Sequence, residues 1–442
     1  MAIQRQVLGY GVLMAALVIF TGHTTARKLP ALRTIYRFRK SADGNSPLAG
    51  VTIGSSGLLY GTTSLGGAWN SGDVFSLTPP ASAGSAWVES ILYSFAGGPN
   101  DGFYPEASVV IGSGGELYGT TYDGGRSNSG TVFSLTPPAS SAGSWTESVL
   151  YEFNATGVAK DGIGPHGGVV IGSGGVLYGA TILGGSAPPG SCIQGDGEAG
   201  CGTIFSLTPP ASPGDSWTEA VLYSFQGGSG DGANPEVGVV IRKDGVLYGV
   251  TPGGGTGSCF GLCGTVFSLS PPASPGGSWT ETVLYRFTGG MTDGDDPTGI
   301  AVGTNGELYG TTDLGGASNM GTVFSLAPPT SSGGLWTETV LYNFTGGTTD
   351  GADPTGVVVG KNGVLYGTTS FGGTSNSSTV FSLPPPASPS GGWTETVLHS
   401  FAGGSDGVLP TAGVAISKRG VLCGTTEAGG ISNHGIVFSL EP

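Results

Sequence analysis

The cysteines of this sequence fall into two neighbouring pairs that could form disulfides or bind a metal. Cys192 and Cys201 lie in one glycine-rich insertion, and Cys259 and Cys263 lie in the next one along the chain. In an oxidising compartment such pairs form disulfides. Four cysteines can pair in three ways, and pairing within each insertion joins the cysteines that are nearest in sequence. A four-thiolate zinc site is the alternative, although Cys192 and Cys201 lack the usual close spacing. The fifth cysteine, Cys423, lies in a predicted strand, where we expect a buried, unreactive thiol.

Aspartates recur at the start of similar turns and are the second candidate for chemistry. They are Asp43, Asp101, Asp161, Asp231, Asp293, Asp350 and Asp406. In a ring-shaped fold these aspartates would surround the mouth of the central channel and could hold cations. Asp also opens turns by hydrogen-bonding its own backbone, and the sequence favours this structural role. One loop carries Asp293, Asp295 and Asp296 together, and carboxylates suit Ca²⁺. We predict no required cofactor or metal, with Ca²⁺ at that loop as the open alternative.

Four aromatic residues depart from the pattern that the rest of the chain repeats. Trp69, Phe103, Tyr104 and Tyr122 lie in predicted loops of two neighbouring repeats. Flat aromatic surfaces stack on the apolar faces of sugar rings, so these four residues are the candidate ligand-binding residues. Ordinary loop packing is the alternative, because single exposed aromatic residues are common.

Signals of catalysis are few. His166, His399 and His434 belong to different repeats, and neither a Gly-x-Ser-x-Gly nor a His-Glu-x-x-His motif accompanies them. The carboxylates recur with the repeat, whereas a catalytic pair needs two unlike environments. We therefore predict no catalytic residues and favour a binding or interaction module. A glycan hydrolase or lyase acting through loop carboxylates and a purely structural cell-envelope protein remain the alternatives.

The elements that would position these residues form a repeat of about sixty residues. Each copy has an Asp loop and a short apolar run, then Leu-Tyr-Gly-Thr-Thr, then Gly-Thr-Val-Phe-Ser-Leu, then Trp-Thr-Glu-Thr-Val-Leu-Tyr-x-Phe. Four β-rich runs per copy predict an all-β, seven-bladed β-propeller of four-stranded antiparallel blades. The spare fourth-strand copy at 34–38 should pair with 436–440 and close the ring. Loop variation is concentrated on one face, which predicts the binding side.

These motifs resemble the GloVer tandem-repeat family of secreted bacterial proteins, and the resemblance covers nearly everything after residue 33. It implies export and a repeat fold, and it supplies no reaction and no catalytic residues. His399 and Cys423 depart from the pattern, because each stands where the other copies have Tyr.

Composition and the N-terminus limit the partners. Residues 1–26 are typical of a signal peptide, with an uncleaved anchor as the alternative, and 27–442 would then form a single propeller domain. The formal net charge is -15, which disfavours nucleic acid and anionic membrane surfaces. We therefore predict a secreted or periplasmic monomer whose partner is an extracellular polysaccharide or a cell-surface component, with no membrane association after cleavage.

Overall fold

Seven antiparallel sheets of four strands follow one another along the chain, as the repeat predicts. The computed structural model describes residues 31–442 apart from 40–42, 83, 141–142, 155–160, 189–190, 193–199, 213, 258, 260–262, 275, 332 and 389–390. The predicted leader at 1–26 lies outside the described residues. Within them, no helix has the length and apolar character needed to cross a membrane.

Each sheet is one blade, numbered here from the N-terminus. The strands of blades 1 to 3 are Thr52–Ile53, Leu59–Thr63, Asp73–Thr78 and Val88–Ser94; Val110–Ile111, Leu117–Thr121, Thr131–Thr136 and Thr146–Glu152; and Val170–Ile171, Leu177–Thr181, Thr203–Thr208 and Thr218–Ser224. Those of blades 4 to 6 are Val240–Ile241, Leu247–Thr251, Thr265–Ser270 and Thr280–Arg286; Gly294–Val302, Leu308–Gly315, Thr322–Ala327 and Thr337–Asn343; and Gly351–Val359, Leu365–Gly372, Thr379–Leu383 and Thr396–Ser400. Short 3-10 turns occur at Ser55–Gly57, Ser173–Gly175, Lys361–Gly363 and Gly404–Asp406.

Blade 7 joins the two ends of the described chain. Its first three strands are Ala415–Ile416, Leu422–Thr426 and Ile436–Leu440, and its fourth is Arg33–Arg37. The register pairs Arg33 with Ser439 and Arg37 with Ile436. The predicted ring closure is therefore confirmed.

The core lies between blades, as the repeated aromatic residues predict. Phe95 at the end of blade 1 meets Phe133 of blade 2 edge to face, with ring centroids 5.0 Å apart. Both rings are fully buried, together with Val74 and Leu117 from the same two blades. The second-strand glycine makes room for the ring, since a Cβ on Gly119 would lie 2.6 Å from Phe133. One blade therefore buries its apolar residues only by stacking on the next.

Both predicted disulfides are present. Cys192 is bonded to Cys201 and Cys259 to Cys263, each within its own insertion. These sulfurs are therefore not available as zinc thiolates. Cys423 is a free, buried cysteine, and burial raises the pKa of its thiol to about 11. It is therefore protonated and unreactive at neutral pH.

Candidate functional site

The recurrent aspartates are structural acceptors buried at the blade interfaces. Asp101 Oδ2 accepts hydrogen bonds from the Tyr93 hydroxyl (3.0 Å) and the Ala96 amide (2.7 Å), while Oδ1 accepts from the Gly102 amide (2.7 Å). Tyr93 lies on a fourth strand, the outer edge of its blade. The turn-forming interpretation is confirmed, but the expectation that these carboxylates surround the channel mouth is wrong. They point towards the outer strands because the tyrosine hydroxyl binds them there.

The acidic loop of blade 5 does not gather its three carboxylates. Asp293 is held like Asp101, accepting from the Tyr285 hydroxyl (3.1 Å) and the Gly294 amide (2.7 Å). Among the described residues, Asp293, Asp295 and Asp296 do not bring ligand atoms together at the spacing of a metal site. The Ca²⁺ alternative at this loop therefore gains no geometric support.

The four candidate aromatic residues lie on one connected group of loops. The Tyr104 amide donates to the Ser71 carbonyl (3.2 Å) in the loop that carries Trp69, and the Tyr122 amide donates to the Tyr104 carbonyl (2.9 Å). The rings of Phe103 and Tyr104 stack with centroids 3.6 Å apart and planes 28° apart. Both rings are half-buried, whereas Trp69 is 67% exposed. We call this group the aromatic platform.

Tyr122 connects the platform to a histidine of the next blade. Its ring lies edge to face against His166, with centroids 6.2 Å apart. A Cβ on Gly164 would lie 2.9 Å from the same tyrosine ring, so a larger residue at 164 would push the ring away from its position. The platform therefore continues across the interface into blade 3.

His166 stands at a position that all seven blades share, directly after the loop proline. The occupants from blade 1 to blade 7 are Leu48, Glu106, His166, Glu236, Thr298, Thr355 and Thr411. Bonds between blades link several of them: Thr298 Oγ1 donates to the Pro354 carbonyl (2.8 Å), and Thr411 Oγ1 to the Leu48 carbonyl (2.7 Å). We call these seven positions the inner ring.

Three consecutive inner-ring positions are titratable and contact one another. His166 Nε2 lies 3.4 Å from Glu106 Oε2, and Nδ1 lies 3.1 Å from the Glu236 carbonyl oxygen. A carbonyl only accepts, so Nδ1 carries a hydrogen and donates it. The other ring nitrogen, Nε2, then faces the Glu106 carboxyl at ion-pair distance.

Burial raises the pKa of the carboxyls around this pair. Burial raises the pKa of Glu106, the His166 charge lowers it, and Asp123 raises it. Burial likewise raises the pKa of Glu236, against the lowering effect of His166. Burial, with repulsion from Glu236 and Asp295, raises the pKa of Asp296 to about 6.

Glu106, His166 and Glu236 are absent from the candidates that the sequence analysis selects. They are about sixty residues apart along the chain, and only the curvature of the ring brings them together. A signal was nevertheless present, because aligning the copies at the loop proline shows Thr or Leu in four blades and a titratable residue in the other three.

A second group of buried carboxyls repeats between blades on the fourth strands. The members are Glu89, Glu147, Glu219, Glu281, Glu338 and Glu395, and each has an Oε1 atom without a hydrogen-bond partner in the protein. Burial, followed by repulsion from Asp101, raises the pKa of Glu147 to about 7. Because these groups recur with the repeat, they belong to the fold rather than to one site.

The fold and the inner ring define the class: a seven-bladed β-propeller built from tandem repeats, with one chemically distinct sector on its variable loop face. The chain belongs to the Gloeobacter/Verrucomicrobia repeat family, whose model matches residues 18–194 and 190–438. This confirms the resemblance inferred from the repeat motifs.

Solved structures of several enzymes are distantly similar to this chain. A putative 6-phosphogluconolactonase from Bacteroides uniformis has 16% identity and a TM-score of 0.47, covering 79% of this chain and 84% of its own. The polysaccharide lyase Uly1 has 12% identity and a TM-score of 0.46, and the match covers 92% of this chain and 91% of the lyase chain. The NanB sialidase from Streptococcus pneumoniae has 11% identity and a TM-score of 0.38, covering 93% and 70%. Likenesses this distant carry no argument about activity. No curated protein matches the sequence.

Proposed function

We propose that this protein is a secreted propeller that binds an extracellular saccharide on the aromatic platform of its variable face. The observation that carries the proposal is the Phe103–Tyr104 stack beside the Glu106–His166 pair. Stacked rings offer an apolar surface to a sugar face, and the adjacent pair offers hydrogen-bonding groups to its hydroxyls. Ligand sites commonly combine aromatic surfaces with a few polar groups in this way.

The platform residues depart from the repeat, and this departure supports the proposal. Folding needs the residues that every blade shares, and blades 5 to 7 fold without aromatic residues at the positions of Tyr104 and Tyr122. The exposed Trp69 buries little in the structure, so packing alone does not account for it. The predicted leader and the two disulfides support an oxidising, extracellular location.

A glycan array with the purified mature chain tests the proposal, followed by calorimetry on any ligand found. Trp69→Ala and Tyr104→Ala should each weaken binding by on the order of 1 kcal/mol or more, because aromatic anchors dominate such interfaces. Phe371→Ala is the matched control, since Phe371 is 45% exposed and belongs to blade 6. Unchanged affinity in both platform variants, or lost stability without lost affinity, would show that these rings only pack the loops.

Turnover of the bound saccharide is the second candidate function, and the contact between Glu106 and His166 beside the platform favours it. A group poised to give or take a proton beside a bound ligand is the minimum for acid–base catalysis. Incubating each ligand with the protein and measuring new reducing ends or unsaturated products separates an enzyme from a binding module. If products form, His166→Ala should abolish them while leaving Phe103–Tyr104 stacking unchanged.

A further inference from the structure

The charges around the aromatic platform select among saccharides. Glu106 follows Tyr104 by two residues, and Asp123 pairs with Phe103 in a short two-stranded ladder. In the described loops of blades 2 to 4 on this face, Arg126 is the only arginine or lysine. Its Nε lies 3.6 Å from Glu152 Oε2 on a fourth strand, away from the inner ring. The platform is therefore bordered by carboxyls.

Carboxyls in this position disfavour two of the three broad glycan classes. Uronate or sulfated chains would bring negative charge against Glu106, Asp123 and Glu236, and repulsion between like charges opposes such binding. A neutral glycan would cover these groups and remove their water without supplying a charge in return, which costs free energy. A glycan with protonated amines supplies both a stacking face and a counter-charge.

The Glu106–His166 pair offers two acceptor atoms to an ammonium group. Its two acceptor atoms, Oε2 and Nε2, are 3.4 Å apart. An ammonium nitrogen has three N–H donors, so it can donate to both atoms. The donation from Nδ1 to the Glu236 carbonyl keeps the Nε2 lone pair directed at that position. Hydrogen bonds from a cation to a carboxylate are among the stronger ones in proteins.

We infer that the ligand of this site is a saccharide chain carrying free, protonated amines, with one ammonium group held between Glu106 and His166 and the adjacent sugar ring stacked on Phe103 and Tyr104. The inference rests on the proposed saccharide-binding function and names its substrate class. Binding should weaken as the pH falls, because burial raises the pKa of Glu106, Asp123 and Glu236, and protons on these carboxyls remove the charge that the ammonium group binds. The phenol of Tyr122, which faces His166, stays neutral over this range.

Isothermal titration of the mature protein at low salt tests the inference with four probes: the β-1,4 hexamers of glucosamine, N-acetylglucosamine and glucose, and tetralysine. The glucosamine hexamer should bind about tenfold or more tightly than the two uncharged hexamers, as a charge-assisted hydrogen bond allows. Glu106→Gln should remove that preference, so that the glucosamine hexamer binds no more than about twofold more tightly than the uncharged hexamers. Glu116→Gln, in an exposed hairpin turn that faces away from this site, is the matched control and should change nothing.

The outcomes separate this inference from the proposed function. If the uncharged hexamers bind, Tyr104→Ala weakens them and the glucosamine hexamer has no advantage, the inference is overturned and the proposed function stands. If tetralysine binds as tightly as the glucosamine hexamer, the site takes any cation and the inference is overturned. If no glycan binds, both are overturned. If Glu106→Gln fails to fold, the pH dependence of the wild-type protein is the test. The inference is overturned if its affinity for the glucosamine hexamer does not fall between pH 7 and pH 5.

Discussion

The inner ring has two halves that share a backbone and differ in chemistry. In blades 5 to 7 its occupants are threonines that hydrogen-bond to their own or a neighbouring blade, as Thr298 does to Pro354 and Thr411 to Leu48. In blades 2 to 4 the same positions hold Glu106, His166 and Glu236. The threonine half shows what the position needs for folding. The titratable half therefore reflects something other than folding.

The outer end of the same loops shows the opposite behaviour. The Asp that opens the loop binds a fourth-strand tyrosine in both halves, as Asp101 does to Tyr93 and Asp350 to Tyr342. Even where His399 replaces tyrosine, its Nε2 lies 3.0 Å from Asp406 Oδ2. The repeat is thus preserved where blades are held together and relaxed where the loops reach the channel mouth. Each prediction below tests that division.

The largest effect should come from removing the strand that closes the ring. Deleting residues 27–40 removes Arg33–Arg37 and the fully buried Phe38, whose ring lies 5.2 Å from Phe75. Loss of one buried Phe alone costs about 3–5 kcal/mol, so the free energy of unfolding should fall by at least that much. The exposed third strand of blade 7 should also promote association.

Denaturant unfolding and light scattering measure both effects of the deletion. Phe371→Ala is the control and should shift the free energy of unfolding by no more than about 0.5 kcal/mol. A deleted chain that unfolds like the wild type would show that closure contributes nothing to stability.

A second effect should come from the buried glutamates of the fourth strands, acting together. Their folded-state pKa values, about 7 for Glu147 and about 8 for Glu395, lie above the ordinary value near 4.5. The folded state therefore holds protons that the unfolded chain releases. Stability should be greatest below about pH 4.5 for these groups and fall as the pH rises through about 7 to 8.

Thermal unfolding between pH 5 and pH 8 measures this decline. Glu147→Gln should make this decline shallower and raise the melting temperature at pH 8, whereas Glu116→Gln, in a hairpin turn, should not. A melting temperature that rises over this range would contradict the raised pKa values.

A smaller effect should follow from filling the space beside a repeated ring. Gly119→Ala adds a methyl group that would lie 2.6 Å from the Phe133 ring. Overpacking of this kind costs about 1–3 kcal/mol. Gly392→Ala is the control, because nothing lies within 4 Å of a Cβ at that position. Saccharide affinity should be unchanged in both variants, and a loss in Gly119→Ala alone would show that the repeated core and the site are coupled.

The sequence predicts the parts of this molecule that depend on local pattern. The strands, the seven repeats, ring closure and both disulfides follow from motifs that lie within one copy or at the two ends. The direction of the Asp carboxyls did not follow, because it depends on a tyrosine hydroxyl that reaches them from a fourth strand. The contact of His166 with Glu106 and Glu236 joins three copies, and no spacing within one copy encodes it.

The smallest effect on stability, and the sharpest test of the two halves, should come from making the inner ring uniform. The triple variant Glu106→Thr, His166→Thr, Glu236→Thr gives blades 2 to 4 the residue that blades 5 to 7 already have. Its free energy of unfolding should stay within about 1 kcal/mol of wild type at pH 7, because the variant removes two carboxyls whose burial is unfavourable and adds threonines that can bond to neighbouring carbonyls. Saccharide affinity should fall by about tenfold or more.

The reverse change completes the test of the two halves. Thr411→Val deletes the hydrogen bond to the Leu48 carbonyl and should cost about 1 kcal/mol of stability while leaving saccharide affinity intact. Denaturant unfolding gives the free energy of unfolding of each variant, and calorimetry gives the saccharide affinity of each. If the triple variant loses more stability than Thr411→Val and keeps its affinity, then Glu106, His166 and Glu236 hold the blades together by another route. The chemical difference between the two halves would then belong to the fold, and the aromatic platform would stand without a polar partner.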